Sequence, residues 1–287
     1  MTQQNTLTAN DIRFGVEIET LAPNTLHMNI GSYHCPTAVD FLPAGWKAGH
    51  DGSIETRRGY SACEIVSPIL KGADGLNQVY QVCKTLQAKG FKVNESTGVH
   101  VSVDWGRQTS SEAMARLITG VSYIEDAIYA ITGTHNRETG RWCHSVKQYQ
   151  NVSNASNGLF GCRYHLLNLT NLSSGEDRVE FRAFSGSLNP VKIIGWIQVC
   201  VGLVQKSKNG VRRAKWDRKK NPEFTARAFQ NQESTYALFT LRRYLGWYPF
   251  QIKKGKSNGL IDGSPIPREE IIHEFTRLIN KYEGENA

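Results

Sequence analysis

The chain has 287 residues, 39% of them hydrophobic and 21% charged, a globular balance that excludes disorder over most of its length and allows one large domain or two modest ones. No run reaches the ~18 uninterrupted apolar residues of a membrane helix, and the N-terminus lacks the basic-then-apolar layout of a secretion signal, so a soluble cytoplasmic protein without a membrane partner is expected. Lysine plus arginine number 34 against 26 aspartates and glutamates, a formal net charge of +8, which suits nucleotides, nucleic acids or acidic substrates without choosing among them.

Arg13 to Glu19 alternates, with Phe14, Val16 and Ile18 on one face of a strand and Glu17 and Glu19 on the other. Residues 20–50 carry many turn formers and predict an irregular excursion or short hairpins. Ala62 to Ser67 is a second strand. Asp74 to Lys89 places Leu76, Val79, Tyr80, Cys83 and Leu86 at helical spacing, with Gly90 as the stop. Val99 to Val103 alternates again. Thr109 and Glu112 form a capping-box pattern ahead of a long amphipathic helix that ends near Gly133.

Residues 150–161, rich in asparagine, serine and glycine, predict a loop. Tyr164 to Leu172 and Arg178 to Phe184 predict two strands in a hairpin-like connection around Ser173 to Glu176. Asn189 followed by Pro190 opens a helix to about Gln205 that is apolar on most sides and therefore buried. A last helix is expected from about Pro267 to Tyr282. The organisation this implies is a core over residues 1–206 and a mainly helical C-terminal lobe over 207–287, packed on that core.

The strands share one design, an apolar face for helices to cover and an opposite face with ionisable groups at fixed parity. Glu17, Glu19, Glu64, His100, Glu180 and Arg182 all fall on the polar side. If the strands join in one curved antiparallel sheet, carboxylates gather around one imidazole, repel, and raise one another's pKa unless a cation sits among them. Oxygen-rich ligands with one nitrogen suit Mg²⁺ or Mn²⁺ better than zinc. Taken singly, each glutamate reads as an ordinary solvated residue on the open face of an antiparallel sheet; only the joint pattern points to a site.

The run Phe14-Gly15-Val16-Glu17-Ile18-Glu19 is followed by Trp46, Asp51-Gly52-Ser53 and Glu64-Ile65-Val66-Ser67-Pro68. Gly98-Val99-His100-Val101, Arg163 with Asn168, and Val179-Glu180-Phe181-Arg182 complete the series. In order and spacing, over about residues 13–200, these motifs resemble the amidoligases of the glutamine synthetase superfamily, relatives of the glutamate-cysteine ligases. The resemblance implies an α+β fold with a glutamine-synthetase-like curved antiparallel sheet and helices on its apolar face. It implies an ATP-dependent ligase that joins a substrate carboxylate to an amine acceptor, on a small molecule, peptide or protein, through an acyl phosphate. The divalent ions, Mg²⁺ or Mn²⁺, would be held by Glu17, Glu19, Glu64, His100 and Glu180. Arg182 would contact phosphate, with Arg163 and Asn168 as further nucleotide-binding candidates, and Asp51 would be the base that deprotonates the amine. Asp51-Gly52 is also a common tight-turn dipeptide. Relatives often carry a second histidine where this chain has Ser102.

Lesser signals compete. The stretch 206–220 mixes cations with Trp216 as nucleic-acid contacts do, which makes a non-catalytic nucleic-acid-binding protein the alternative, although a solvated helix face has the same composition. His27, His34, Cys35 and His50 fit no common zinc spacing. Six cysteines without a CxxC pair read as reduced thiols, and Cys143-His144 with Cys162 lacks a third orienting group for nucleophilic catalysis.

Overall fold

The computed structural model describes residues 7–32, 34–106, 110–149, 158–210 and 260–284. Strand β1 (Arg13–Pro23) is central: Phe14, Val16 and Ile18 are buried beneath the sheet, and the alternation seen in the sequence holds through Ile18, both faces being covered from Glu19 to Ala22. Around it stand β2 (Thr37–Ala38), β3 (Lys47–Gly49), β4 (Tyr60–Val66), β5 (Leu70–Lys71), β6 (Gly98–Asp104), β7 (Leu167–Asn168) and β8 (Arg178–Ser185). They form an eight-stranded sheet in the order β2-β3-β4-β1-β6-β8-β7, with β5 also on β1. All its strand pairs are antiparallel.

Helices α1 (Gly72–Ala88), α2 (Ser111–Ala130) and α5 (Pro190–Lys208) form the second layer, with short helical turns α3 (Asn136–Thr139) and α4 (Thr170–Ser173) at the sheet margin. α5 touches α1, α2 and β6 and is buried on nearly every side, the arrangement its apolar sequence predicts. Its start is set by Asn189, whose side chain accepts from the Val191 amide, followed by Pro190 in the first turn, where a missing N–H costs nothing. The last described helix, α6 (Arg268–Gly284), packs on α5 and α2. The architecture is α+β, an antiparallel sheet with helices on its apolar face, as expected.

Several local expectations are corrected. Tyr164 to Leu172 is not one strand: only Leu167–Asn168 pairs with β8, and α4 follows at once. The Asn168 side-chain oxygen accepts from both the amide and the hydroxyl of Thr170, a local turn that competes with extension of the strand. The cap of α2 is Ser110, whose hydroxyl accepts from the Ala113 amide; Thr109 lies outside the described residues. Residues 20–50 contain an extension of β1 and the small β2 and β3 strands. Residues 211–259, which hold most of the basic 206–220 stretch and of the expected C-terminal lobe, also lie outside the described residues.

One irregularity shapes the site. Between β6 and β8 the register runs Val101 to Phe181, then Val99 to Phe184, so β8 carries one extra residue opposite His100. Such a bulge shifts side-chain parity. Glu180 and Arg182 share the polar face by strict alternation, which would put Phe184 there too, yet Phe184 is fully buried and stacked on Trp196 of α5, ring centroids 4.9 Å apart.

Candidate functional site

The sheet order β4-β1-β6-β8 brings the predicted polar residues into one band. Glu19 stands opposite Glu64, Glu17 opposite His100, and Asn168 opposite Glu180. His100 lies at the centre. Its Nδ1 is 3.4 Å from Glu17 and 3.5 Å from Glu180, and its Nε2 is 3.5 Å from Glu19. Two triads of potential metal ligands result, Glu17-His100-Glu180 and Glu19-Glu64-His100, each with its ligand atoms within 4.8 Å of one another.

Most of these groups are not solvated. Glu19 is 4% exposed, His100 3%, Glu180 6% and Arg182 9%, and such burial of charge requires partners. Glu19 accepts from the Gly98 amide at 2.5 Å. Glu180 accepts from Arg182 at 2.6 Å on one oxygen and from Asn168 at 2.5 Å on the other. Asn168, a nucleotide-binding candidate in the sequence, is thus committed to orienting Glu180 and to closing the Thr170 turn.

The electrostatics show a shortage of positive charge. Burial, then the charges of Glu17, Glu19, Asp51 and Glu180, push the Glu64 carboxyl up to about 9. Burial likewise raises Glu17, against the opposing pull of Arg178 and Arg182. Burial first and Arg182 second push His100 down to about 4, so its imidazole is neutral and has a lone pair to offer. Nε2 is a buried atom without a hydrogen-bond partner, and in the tautomer whose Nδ1 proton faces Glu17 it is the nitrogen that carries that lone pair. An orphaned imidazole nitrogen among under-compensated carboxylates fits a hard divalent cation. Because one neutral ring offers one lone pair, His100 completes one triad and leaves the other to its carboxylates. Ser102 falls on the same face, opposite Gly15 and Glu180, and can offer only a hydroxyl.

A pH dependence follows. A carboxyl whose pKa rises from 4.5 to about 9 on folding makes the folded state bind more protons between those values, so it costs stability progressively as pH climbs through them. His100, lowered from 6.5 to about 4, acts in the opposite sense below 6.5. Metal-free protein is therefore expected to lose stability between about pH 6.5 and 9, and saturating Mn²⁺ to remove that slope. Urea denaturation at several pH values, with and without Mn²⁺, checks this; a flat metal-free profile contradicts it.

Asp51 sits beyond β3, close enough to raise both Glu17 and Glu64. Its Oδ1 accepts from the amide and hydroxyl of Ser53, both at 2.7 Å, so the local turn is present, at the rim of the acidic band. Arg163 acts on Glu17 electrostatically while its guanidinium lies 5.4 Å from the Tyr164 ring centroid. A cleft of about 260 Å³ runs along the strand ends from Glu17, floored by Gly15 and Ser102 and edged by Arg13, Asp104 and Arg178. Cys143 is excluded as a nucleophile, since burial pushes its thiol up to about 11 and the thiolate is the reactive form.

Two basic residues escaped the sequence reading. Arg178 opens β8 and lines the cleft. Arg137, on α3, is 6% exposed and donates to the Arg182 carbonyl at 2.7 Å. Nothing in its turn-rich surroundings distinguishes it from a surface arginine, so no sequence signal could have found it.

Residues 10–204 match a family whose description reads "Putative amidoligase enzyme". No curated protein matches in sequence. Among solved structures, the complex between the prokaryotic ubiquitin-like protein Pup and its ligase PafA is similar at a TM-score of 0.44 and 8% identity, over 97% of this chain and 65% of that one. No helix among the described residues is long and apolar enough to cross a membrane.

Proposed function

This chain belongs to the amidoligase family, and from that premise we propose that it is an ATP-dependent carboxylate-amine ligase that forms an amide or peptide bond through an acyl phosphate. The observation that carries the reading is the convergence of Glu17, Glu19, Glu64, His100, Glu180 and Arg182, drawn from four strands, on one largely buried band of the polar sheet face.

In the first half-reaction a substrate carboxylate oxygen attacks the terminal phosphorus of ATP and ADP departs. In the second an amine attacks the acyl carbon, phosphate departs, and the amine gives up a proton. Divalent ions held by Glu17, Glu180 and His100 or by Glu19, Glu64 and His100 would neutralise phosphate oxygens. Arg182 is fixed by Glu180 and offers its remaining donors to those oxygens, a role for which a planar guanidinium is suited. Asn168 and the Gly98 amide hold Glu180 and Glu19 in place. Asp51, with both hydrogen bonds on Oδ1, keeps Oδ2 as the site that takes the proton of the attacking amine. Burial keeps water from competing for the acyl phosphate.

The test is a pair of measurements. ATP with Mn²⁺ is expected to raise the melting temperature; at a hundredfold excess over Kd the gain is about 2.7 kcal/mol, or roughly 5–10 °C for a chain of this size. Phosphate release from ATP should then appear with pooled amino acids and small peptides as acceptors, with a product heavier by the acceptor less water. A melting curve unmoved by ATP and Mn²⁺ rules the reading out.

A further inference from the structure

Arg137 lies beside the acidic band without belonging to its ion pairs. An ideal Cβ built on Gly98 would fall 2.9 Å from its Nη1, 3.0 Å from its Nη2 and 3.1 Å from the guanidinium carbon. Gly98 has the parity of His100 on β6, so that direction is the polar face, and the guanidinium lies flat over the strand where any side chain would exclude it. This glycine has a mechanical reason: it makes room for a cation.

The bonding of that cation is incomplete. Among the described residues Arg137 has one hydrogen bond, from Nη2 to the Arg182 carbonyl, and its Nε is buried with no partner. The neighbouring Arg182 is in a similar condition, with Nη1 on Glu180 and a buried Nε without a partner. Orphaned donors on buried cations are costly, and both guanidinium groups are close enough to act electrostatically on His100, whose Nε2 is also without a partner. The imidazole Nε2 lacks a partner, Arg137 lacks an anion, and Arg182 keeps an unused donor beyond its pair with Glu180. A divalent cation held by His100 would satisfy the first, and an oxyanion beside it would satisfy the guanidinium donors.

We infer that Arg137 is a phosphate-binding residue, which together with Arg182 receives phosphoryl oxygens of the nucleotide on the side of His100 away from Glu17. The inference deepens the ligase reading and rests on it. A phosphoryl group is favoured over a simple carboxylate because the two guanidinium groups approach from different elements, α3 and β8, and a tetrahedral oxyanion has oxygens to offer to each.

The test compares full-length wild type, Arg137→Met, Arg137→Lys and Gly98→Ala by calorimetric titration with a non-hydrolysable ATP analogue in saturating Mn²⁺, and with Mn²⁺ alone by electron paramagnetic resonance. Arg137→Met should weaken nucleotide binding roughly tenfold to a hundredfold while Mn²⁺ binding is unchanged, and Arg137→Lys should recover part of the loss. Gly98→Ala, which keeps the arginine but displaces its guanidinium, should reproduce the Met phenotype and serves if Arg137→Met does not fold. Nucleotide affinity unchanged in Arg137→Met or Gly98→Ala overturns the inference and leaves the ligase reading standing. Equal loss of Mn²⁺ and nucleotide shows a structural support for Glu19 and His100 and overturns it too. Wild type that binds Mn²⁺ but no nucleotide overturns both.

Discussion

Glu180→Gln is expected to reduce ATP-dependent ligation by about a thousandfold or more while the protein still folds. The carboxylate holds Arg182 on one oxygen and accepts from Asn168 on the other, and it is one of the three groups around the Glu17 side of His100. The amide removes the charge that would hold a cation and sets an NH₂ against either the Asn168 amide or the Arg182 guanidinium, donor facing donor. A combined loss of roughly 4 kcal/mol in transition-state stabilisation is in the range for such electrostatic groups, and each 1.36 kcal/mol is a factor of ten. Stability should fall as well, because the buried Arg182 loses its carboxylate partner, a loss offset only in part by relief of the repulsion that raises Glu64. Single-turnover phosphate release alongside a melting curve separates the two effects. A variant that folds and turns over at the wild-type rate would remove Glu180 from the site.

Trp196→Ala is expected to destabilise the fold by about 3–5 kcal/mol, the range for deleting a buried aromatic, and to lower the melting temperature by roughly 10 °C. Trp196 is fully buried, donates its indole N–H to the Ile131 carbonyl at 3.1 Å, and stacks on Phe184 with ring planes 10° apart. The substitution removes the stack and leaves a buried carbonyl unsatisfied. The consequence reaches the chemistry, because Phe184 anchors β8 immediately after the bulge that follows Arg182, on the strand that carries Glu180 and Arg182. Ligation should therefore decline even at temperatures where the variant remains folded. Val93→Ala, at a side chain that is 37% exposed, is the contrast and should shift stability by no more than about 0.5 kcal/mol. Equal effects for the two would contradict the packing described for α5.

Legibility from the sequence differed by scale. The strand parity of Glu17, Glu19, Glu64, His100, Glu180 and Arg182 could be read because alternation is a property of each strand alone. The helices α1 and α5 were visible for the same reason, through a 3.6-residue apolar period and an Asn-Pro start. β7 was overestimated because the Asn168 side chain turns the chain by hydrogen bonds that no hydrophobic period reveals. The α2 cap was misplaced by one residue, since Thr109 and Ser110 are chemically equivalent capping groups and only the backbone path selects between them.

From the residues alone came the strands and helices and the inventory of acids with one imidazole, and their motifs carried the resemblance that implied the α+β fold and named a chemistry for them. Tertiary structure decided that Glu19 faces Glu64 and Glu17 faces His100, that most of the acidic band is buried rather than solvated, and that Arg137 lies across Gly98. The physical reason is range. A strand's period fixes which way a side chain points, but the distance between charges on different strands, and the water excluded around them, depend on register and on the helices packed beneath, which are set by contacts between residues far apart in the chain.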